Sequence, residues 1–270
     1  MYKRVVLALD LEGVNYVVGE PYQGLYWGTE QWRIACKQAV LEINAAAEAL
    51  FDAGVEKVAF WDTHGGEFEG LDPRMEIIPI RYSPPMGFLK DAYDCICYFG
   101  YHAMEGTLGG VLAHTMSSAE VQYFKLNGKY VGEVDMHAYV AASFGVASRF
   151  FAAGNLACKQ AQRALPGIVT VVTKEELARN KANFRDNDEL LAEIKEKIVL
   201  AVQTEVPPVQ LELPAVIEKS FKRMEDAAIL YESLCEKGLE VAYPDDAFMG
   251  KDAHTLVGII KKIEDLPEYY

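Results

Sequence analysis

Three apolar runs in this chain each stop at a side chain that can bind a metal. Val5-Val6-Leu7-Ala8-Leu9 runs into Asp10-Leu11-Glu12-Gly13, and Val58-Ala59-Phe60-Trp61 into Asp62-Thr63-His64-Gly65-Gly66. Cys95-Ile96-Cys97-Tyr98-Phe99 runs into Gly100-Tyr101-His102. Each run reads as a strand, and helical patterns separate them, which predicts an α/β fold on a parallel sheet. In such a sheet the carboxyl ends of the strands lie along one edge, where ligands bind. Carboxylates and imidazoles that are far apart in sequence can therefore converge on one cation, so a metalloenzyme is the leading expectation.

Composition narrows the partners. A hydrophobic content of 51% over 270 residues supplies a sizeable core without disulfides or a structural metal. The formal net charge of -14 repels phosphate, which argues against nucleic acid and anionic membranes and favours capture of cations. Cys36, Cys95, Cys97, Cys158 and Cys235 are odd in number and form no CxxC pair, as expected of free thiols in a reducing compartment. Met1-Tyr2-Lys3-Arg4 before an apolar run suggests a signal peptide only faintly, because Asp10 and Glu12 end the run too soon. No stretch is long enough to span a bilayer, and the expected location is cytoplasmic.

The pattern further predicts a loop over Asn15 to Gly28 and a helix carrying Trp32, Cys36, Val40, Ile43, Ala47 and Leu50 that ends near Gly54. Pro73, Pro79, Pro84 and Pro85 break the next stretch, leaving a short strand near Ile77 to Ile80. Asn127-Gly128 joins Val121 to Leu126 and Lys129 to Glu133 as a hairpin. A helix from Val134 to Phe144 follows, then a strand at Phe150 to Ala153. Leu156 to Leu165 reads as a helix and Ile168 to Val172 as a strand. In the C-terminal third the expected elements are a helix over Asp186 to Val202, a strand over Val209 to Leu213, and helices over Val216 to Leu234 and His254 to Ile263. This divides the chain into a metal-binding core over 1-180 and a subdomain over 181-270 that walls the site or makes subunit contacts.

Asp10 and Glu12, two apart at a strand end, point to one side. A DxE pair, or a single histidine such as His64 or His102, is common in structural roles. What raises a shared site is that all of them follow strands of similar makeup. Taken locally, Glu133 reads as a surface carboxylate and His114 as a loop histidine capping a carbonyl. His137 lies four residues after Glu133 and could share a helix face with it or simply be solvated.

In order and spacing, Asp10-Leu11-Glu12-Gly13, Asp62-Thr63-His64, Gly100-Tyr101-His102-Ala103, His114-Thr115-Met116 and Gly132-Glu133 resemble the D-aminopeptidase family of dinuclear zinc metallopeptidases. The resemblance is strong over residues 5 to 175 and looser beyond. It implies a three-layer α/β/α sandwich on a mainly parallel mixed sheet, with the smaller C-terminal part as an α+β subdomain. It implies two Zn²⁺ per subunit, with Asp10 bridging them, Glu12 and His64 completing one site, and His102 and Glu133 the other. His114 is implied as the non-ligand catalytic histidine. Where the family's characterised member has asparagine, this chain has His137. The implied reaction is release of N-terminal D-residues from short peptides by a metal-bridged hydroxide, in a ring-like homodecamer. Two competing readings are another dinuclear metallohydrolase, such as a phosphoesterase, and a non-catalytic peptide-binding protein. The motif loops carry few cations beyond Arg74 and Arg81, which disfavours a phosphate substrate. The complete ligand set with His114 disfavours a mere binder.

Overall fold

The computed structural model describes residues 1–80 and 85–270; Arg81 and Pro84 lie outside them. Strands β1 (Arg4–Leu9), β2 (Lys57–Asp62), β3 (Glu76–Ile78) and β4 (Cys95–Phe99) form, with β7 (Ala147–Ala153) and β8 (Val169–Val172), a six-stranded sheet of order β3-β2-β1-β4-β7-β8. Every pairing in it is parallel. The outward alternation of side chains feeds two cores from one strand. Val5, Leu7 and Leu9 join the core on one face, and Val6 and Ala8 the core on the other.

Helix α1 (Glu30–Asp52) and helix α4 (Asn187–Gln203) cover the first face through Ala39, Ile43, Ala46, Leu190, Ile194 and Ile198. Thr29 caps α1 by accepting the Trp32 N–H, and Asp186 caps α4 by accepting the N–H groups of Asp188 and Glu189. Helix α2 (Glu133–Ser143) and helix α3 (Asn155–Ala164) cover the second face through Met136, Ala138, Cys158 and Ala161. Each fully buried Leu or Ile in these layers contributes about 1.5–3 kcal/mol by leaving water. The result is a three-layer α/β/α arrangement.

A second sheet packs into the same core as α2 and α3. Strands β5 (Val121–Leu126) and β6 (Lys129–Tyr130) are joined by Asn127 and Gly128, whose φ values of 49° and 77° are those of the tight hairpin turn that Asn-Gly favours. Strand β11 (Ala215–Phe221) pairs antiparallel with β5, and β15 (Thr255–Ile260) and β12 (Val241–Ala242) extend the sheet. The remaining elements are the hairpin β9 (Lys174–Ala178) and β10 (Lys181–Phe184), helix α5 (Met224–Glu236), the short pair β13 (Asp245–Asp246) and β14 (Gly250–Lys251), and two 3-10 helices over Gly87–Leu89 and Ile263–Tyr269.

The C-terminal elements differ from expectation. The stretch read as one helix over Val216 to Leu234 is strand β11 followed by α5. Its first half opens on the β-branched Val216 and Ile217 and alternates in burial up to Lys219, and a place beside β5 satisfies its backbone. His254 to Ile263, expected to be helical, contains β15 instead, and Val209 to Leu213 forms no strand. Glu133 does not end a hairpin strand. It opens α2, with Gly132 as the cap and the Asp135 carboxylate accepting the Gly132 N–H at 2.8 Å. The hairpin of β9 and β10 was not anticipated.

Candidate metal centre

Register brings the three motifs level. Leu9 of β1 lies opposite Asp62 of β2 on one side and Phe99 of β4 on the other, so the residues after each strand emerge at one edge. The ladder continues past the strand ends, with Asp10 N–H donating to Phe99 O at 2.8 Å and Thr63 N–H to Leu9 O at 2.8 Å. The two outgoing loops then interlock. Gly13 N–H donates to Gly100 O at 2.6 Å, and a Cβ on Gly13 would lie 2.0 Å from Tyr101 O. Gly100 has φ +69°, and a Cβ there would lie 1.9 Å from Asp10 O. Only glycine fits at either position, so both glycines are required for Asp10 and His102 to approach one another.

Each ligand candidate is oriented by backbone. Asp10 Oδ1 accepts the Leu11 N–H at 2.8 Å. Asp62 Oδ1 accepts the N–H groups of His64 and Gly65, and Oδ2 that of Gly66, which curls the loop and holds His64. Glu133, at the positive end of α2, accepts the Met116 N–H at 2.6 Å. Lys174 is fully buried and donates from Nζ to the carbonyls of Glu12 (2.5 Å), Val14 (2.9 Å) and Val17 (2.6 Å). Thr173 Oγ1 donates to Gly13 O at 2.6 Å. The loop carrying Glu12 is thus strapped down by two neighbouring side chains.

The structure brings Asp10, Glu12, His64, His102, His114 and Glu133 together. His64 Nε2 lies 3.2 Å from Glu12 Oε1. His102 Nε2 lies 3.4 Å from Asp10 Oδ2 and 3.2 Å from Glu133 Oε1, and His114 Nε2 is 3.9 Å from the same Glu133 oxygen. Donor atoms of Asp10, Glu12 and His102 fall within 4.8 Å of one another, as do those of His102, His114 and Glu133. By distance alone His114 qualifies as a donor beside Glu133. A cavity of about 290 Å³ opens over Asp10, Glu12, His64, His114 and Glu133, with Arg179 in its wall.

The donor set fits a cation. His102 Nε2, Glu12 Oε2 and His64 Nδ1 are buried polar atoms without a hydrogen-bond partner. His102 Nε2 lies 3.4 Å from Asp10 and 3.2 Å from Glu133 without a hydrogen-bond partner, where an ion displacing its proton would be shared with both carboxylates. Burial and the charge of Glu12 hold the Asp10 carboxyl well above the usual range. Burial works against ionised Glu12 too, but His64 outweighs it and holds Glu12 well below. Burial likewise opposes charge on Glu133, His64 and His102. Their partners win in each case: His102 brings Glu133 down to about 2, Glu12 lifts His64 to about 9, and Glu133 lifts His102 to about 10. Without an ion, protons on Asp10, His64 and His102 balance the buried carboxylates, and a divalent ion would take the place of those protons in compact form. For His114, burial and the charge on His102 lower the pKa, favouring the neutral ring.

His137 does not reach the cavity lining. It is buried behind the site, its Nδ1 within 2.8 Å of the Tyr101 hydroxyl and its ring against Trp61, and burial brings its pKa down to about 4. Arg74 pairs with Asp72 away from the site. Sequence reasoning missed Lys174, Thr173 and Arg179. All three come from the hairpin region after β8, which carries no motif. Asp62 was visible in its motif, but not its role as the hub of the His64 loop.

Comparison with known proteins gives consistent results. A model of the D-aminopeptidase family matches residues 3–235. The D-aminopeptidase of Bacillus subtilis (strain 168) is 24% identical over 206 residues, covering 74% of each chain. Among solved structures, the Zn-dependent D-aminopeptidase DppA from Bacillus subtilis, described as a self-compartmentalizing protease, superposes with a TM-score of 0.82 at 21% identity. That match covers 98% of this chain and 94% of DppA.

Proposed function

The chain belongs to the D-aminopeptidase family, and on that premise we propose that it is a zinc-dependent aminopeptidase releasing N-terminal D-residues from short peptides. The observation that carries this reading is the convergence of Asp10, Glu12, His64, His102 and Glu133, with His102 Nε2 buried and unpartnered between two carboxylates. We assign two Zn²⁺ per subunit. Asp10 would serve both, Glu12 and His64 one, and His102 and Glu133 the other. Carboxylate and imidazole donors suit zinc. Bound there, zinc supplies Lewis acidity toward a carbonyl oxygen and acidifies water from a pKa of 15.7 toward about 7.

The protein's own groups do the rest. His114 is the catalytic residue in this account. Its Nδ1 lies 2.8 Å from Leu112 O, so Nδ1 carries the proton and Nε2 presents a lone pair. As a neutral ring at the cavity wall, it takes a proton from the attacking water at Nε2 and returns it to the leaving amine. The strapped Glu12 loop and the α2 terminus hold the donors in place without reorganisation during the reaction.

Self-assembly completes the proposal. Tyr22, Trp27, Leu108 and Phe248 are exposed apolar side chains at loop tips, the kind of surface a homo-oligomer covers. A ring-like decamer of the 30.1 kDa chain, in the cytoplasm, is the assembly proposed. Among the described residues no helix is long and apolar enough to cross a membrane, and all five cysteines are free.

A screen of D- and L-aminoacyl amides and dipeptides on zinc-loaded protein tests the reading. Turnover of the D-substrates that chelation abolishes and zinc restores is the expected result. No turnover of any of them at full zinc occupancy would overturn it.

A further inference from the structure

The cavity over Asp10, Glu12 and Glu133 has one wall of opposite charge. Arg179 is the only lysine or arginine among the described residues lining it. Arg4, Arg33, Arg74, Arg185 and Arg223 each pair with a carboxylate of their own. Arg179 has no such partner among the described residues. Among the described residues its guanidinium makes one hydrogen bond, from Nη1 to Ala113 O at 3.2 Å, which leaves its other N–H groups available to a ligand.

The position of this arginine is built. Arg179 O accepts the Leu112 N–H at 2.9 Å. Its neighbour Asn180 donates to Val18 O at 2.7 Å and Gln23 O at 3.3 Å, and accepts the Tyr22 N–H at 3.1 Å. The turn between β9 and β10 is thereby clamped between the two segments that wall the cavity. Ala113, to which the guanidinium is tied, immediately precedes His114. One residue of chain spans about 3.8 Å between Cα atoms. His114 and Arg179 line the same cavity, so a dipeptide whose scissile carbonyl lies at His114 has its C-terminus, one residue later, inside the space that Arg179 walls. The cavity, about 290 Å³, is at the small end for ligand sites and suits a dipeptide.

We propose that Arg179 is a specificity residue that binds the free C-terminal carboxylate of a dipeptide substrate. The planar guanidinium fork matches a carboxylate in two-point geometry, and a single charge among acidic neighbours would orient the dipeptide with its amino end toward the metal side. Peptide amides and longer peptides, whose second residue ends in a neutral amide, lose this contact. The inference rests on the aminopeptidase reading but is separable from it. An arginine that served only loop solvation or a subunit contact would not discriminate between an acid and its amide.

The test compares D-alanyl-D-alanine with its C-terminal amide on zinc-loaded wild type, Arg179→Met and Arg179→Lys. Wild type should favour the free acid in kcat/KM by roughly tenfold or more, the size expected of a charged hydrogen-bonded contact. Arg179→Met should bring that ratio near one, chiefly through KM, and Arg179→Lys should keep part of it. A ratio unchanged in Arg179→Met overturns the proposal. Absence of turnover in wild type counts against the aminopeptidase reading, and calorimetric titration of the same two compounds then decides the role of Arg179. Free acid binding roughly tenfold weaker to Arg179→Met than to wild type, with little change for the amide, supports the proposal, and equal binding to both proteins overturns it.

Discussion

His102 and His114 stack face to face, with ring centroids 3.8 Å apart and 13° between their planes. Each places Nδ1 against a carbonyl, Ala103 O at 3.0 Å and Leu112 O at 2.8 Å, so each turns Nε2 toward Glu133. The same tautomer serves different ends. The His102 side chain is 2% exposed and also faces Asp10, whereas His114 lines the cavity. The proposed assignment gives coordination to the first and proton transfer to the second.

His114→Ala should therefore retain its zinc and lose peptide hydrolysis, with kcat falling about 10²–10⁴-fold. Metal content by mass spectrometry and single-turnover kinetics check both halves. An unchanged kcat would show that the ring is not catalytic.

Asp10→Ala should bind neither zinc ion if, as proposed, its carboxylate serves both. Glu133→Ala should keep the ion held by Glu12 and His64. Equilibrium dialysis with far-UV circular dichroism as a folding control reads this out. Full occupancy in Asp10→Ala removes the bridging assignment.

Lys174→Met leaves the carbonyls of Glu12, Val14 and Val17 buried without their shared donor. At roughly 1–3 kcal/mol for an unsatisfied buried group, the loss should be about 3 kcal/mol or more by urea unfolding. Zinc affinity should fall more at the Glu12 and His64 site than at the other. Equal weakening of both sites would show that Lys174 acts on the whole fold rather than on that loop.

Glu42 offers a pH test away from the proposed metal centre. Burial lifts its carboxyl to about 7, against backbone and side-chain hydrogen bonds from Asn15 and Gln38. A folded pKa above the unfolded value gives stability that is present below about pH 4.5 and lost as pH rises through about 7. Relative to Glu42→Gln, metal-free wild type should lose about 3 kcal/mol across that window. Parallel stability curves for the two proteins would show that Glu42 ionises freely in the fold.

The parallel core and its functional edge were legible because each motif is local. An apolar run, a terminal ligand and a close-packing glycine sit within about ten residues of one another, as in Val5 to Gly13. The C-terminal strands were not, because their pairing is with distant partners. Ile217 and Lys219 of β11 pair with β5, nearly a hundred residues earlier, and their two-residue alternation is too short to stand out from the helical pattern of α5 that follows. Gly258 in β15 gave no strand signal either, and its role is steric: a Cβ there would lie 2.3 Å from the Tyr269 ring. Lys174 and Arg179 look like ordinary charges of a polar hairpin. Only the folded chain shows one buried against the Glu12 loop and the other beside His114.

The most direct test of the dinuclear assignment is zinc-edge anomalous diffraction from crystals of the zinc-loaded protein. It should show two peaks about 3.5–4 Å apart with the Asp10 carboxylate between them. One should lie within about 2.0–2.2 Å of Glu12 and His64 donors, and the other within that distance of His102 and Glu133. A single peak, or a pair that leaves Asp10 uncoordinated, would contradict the account.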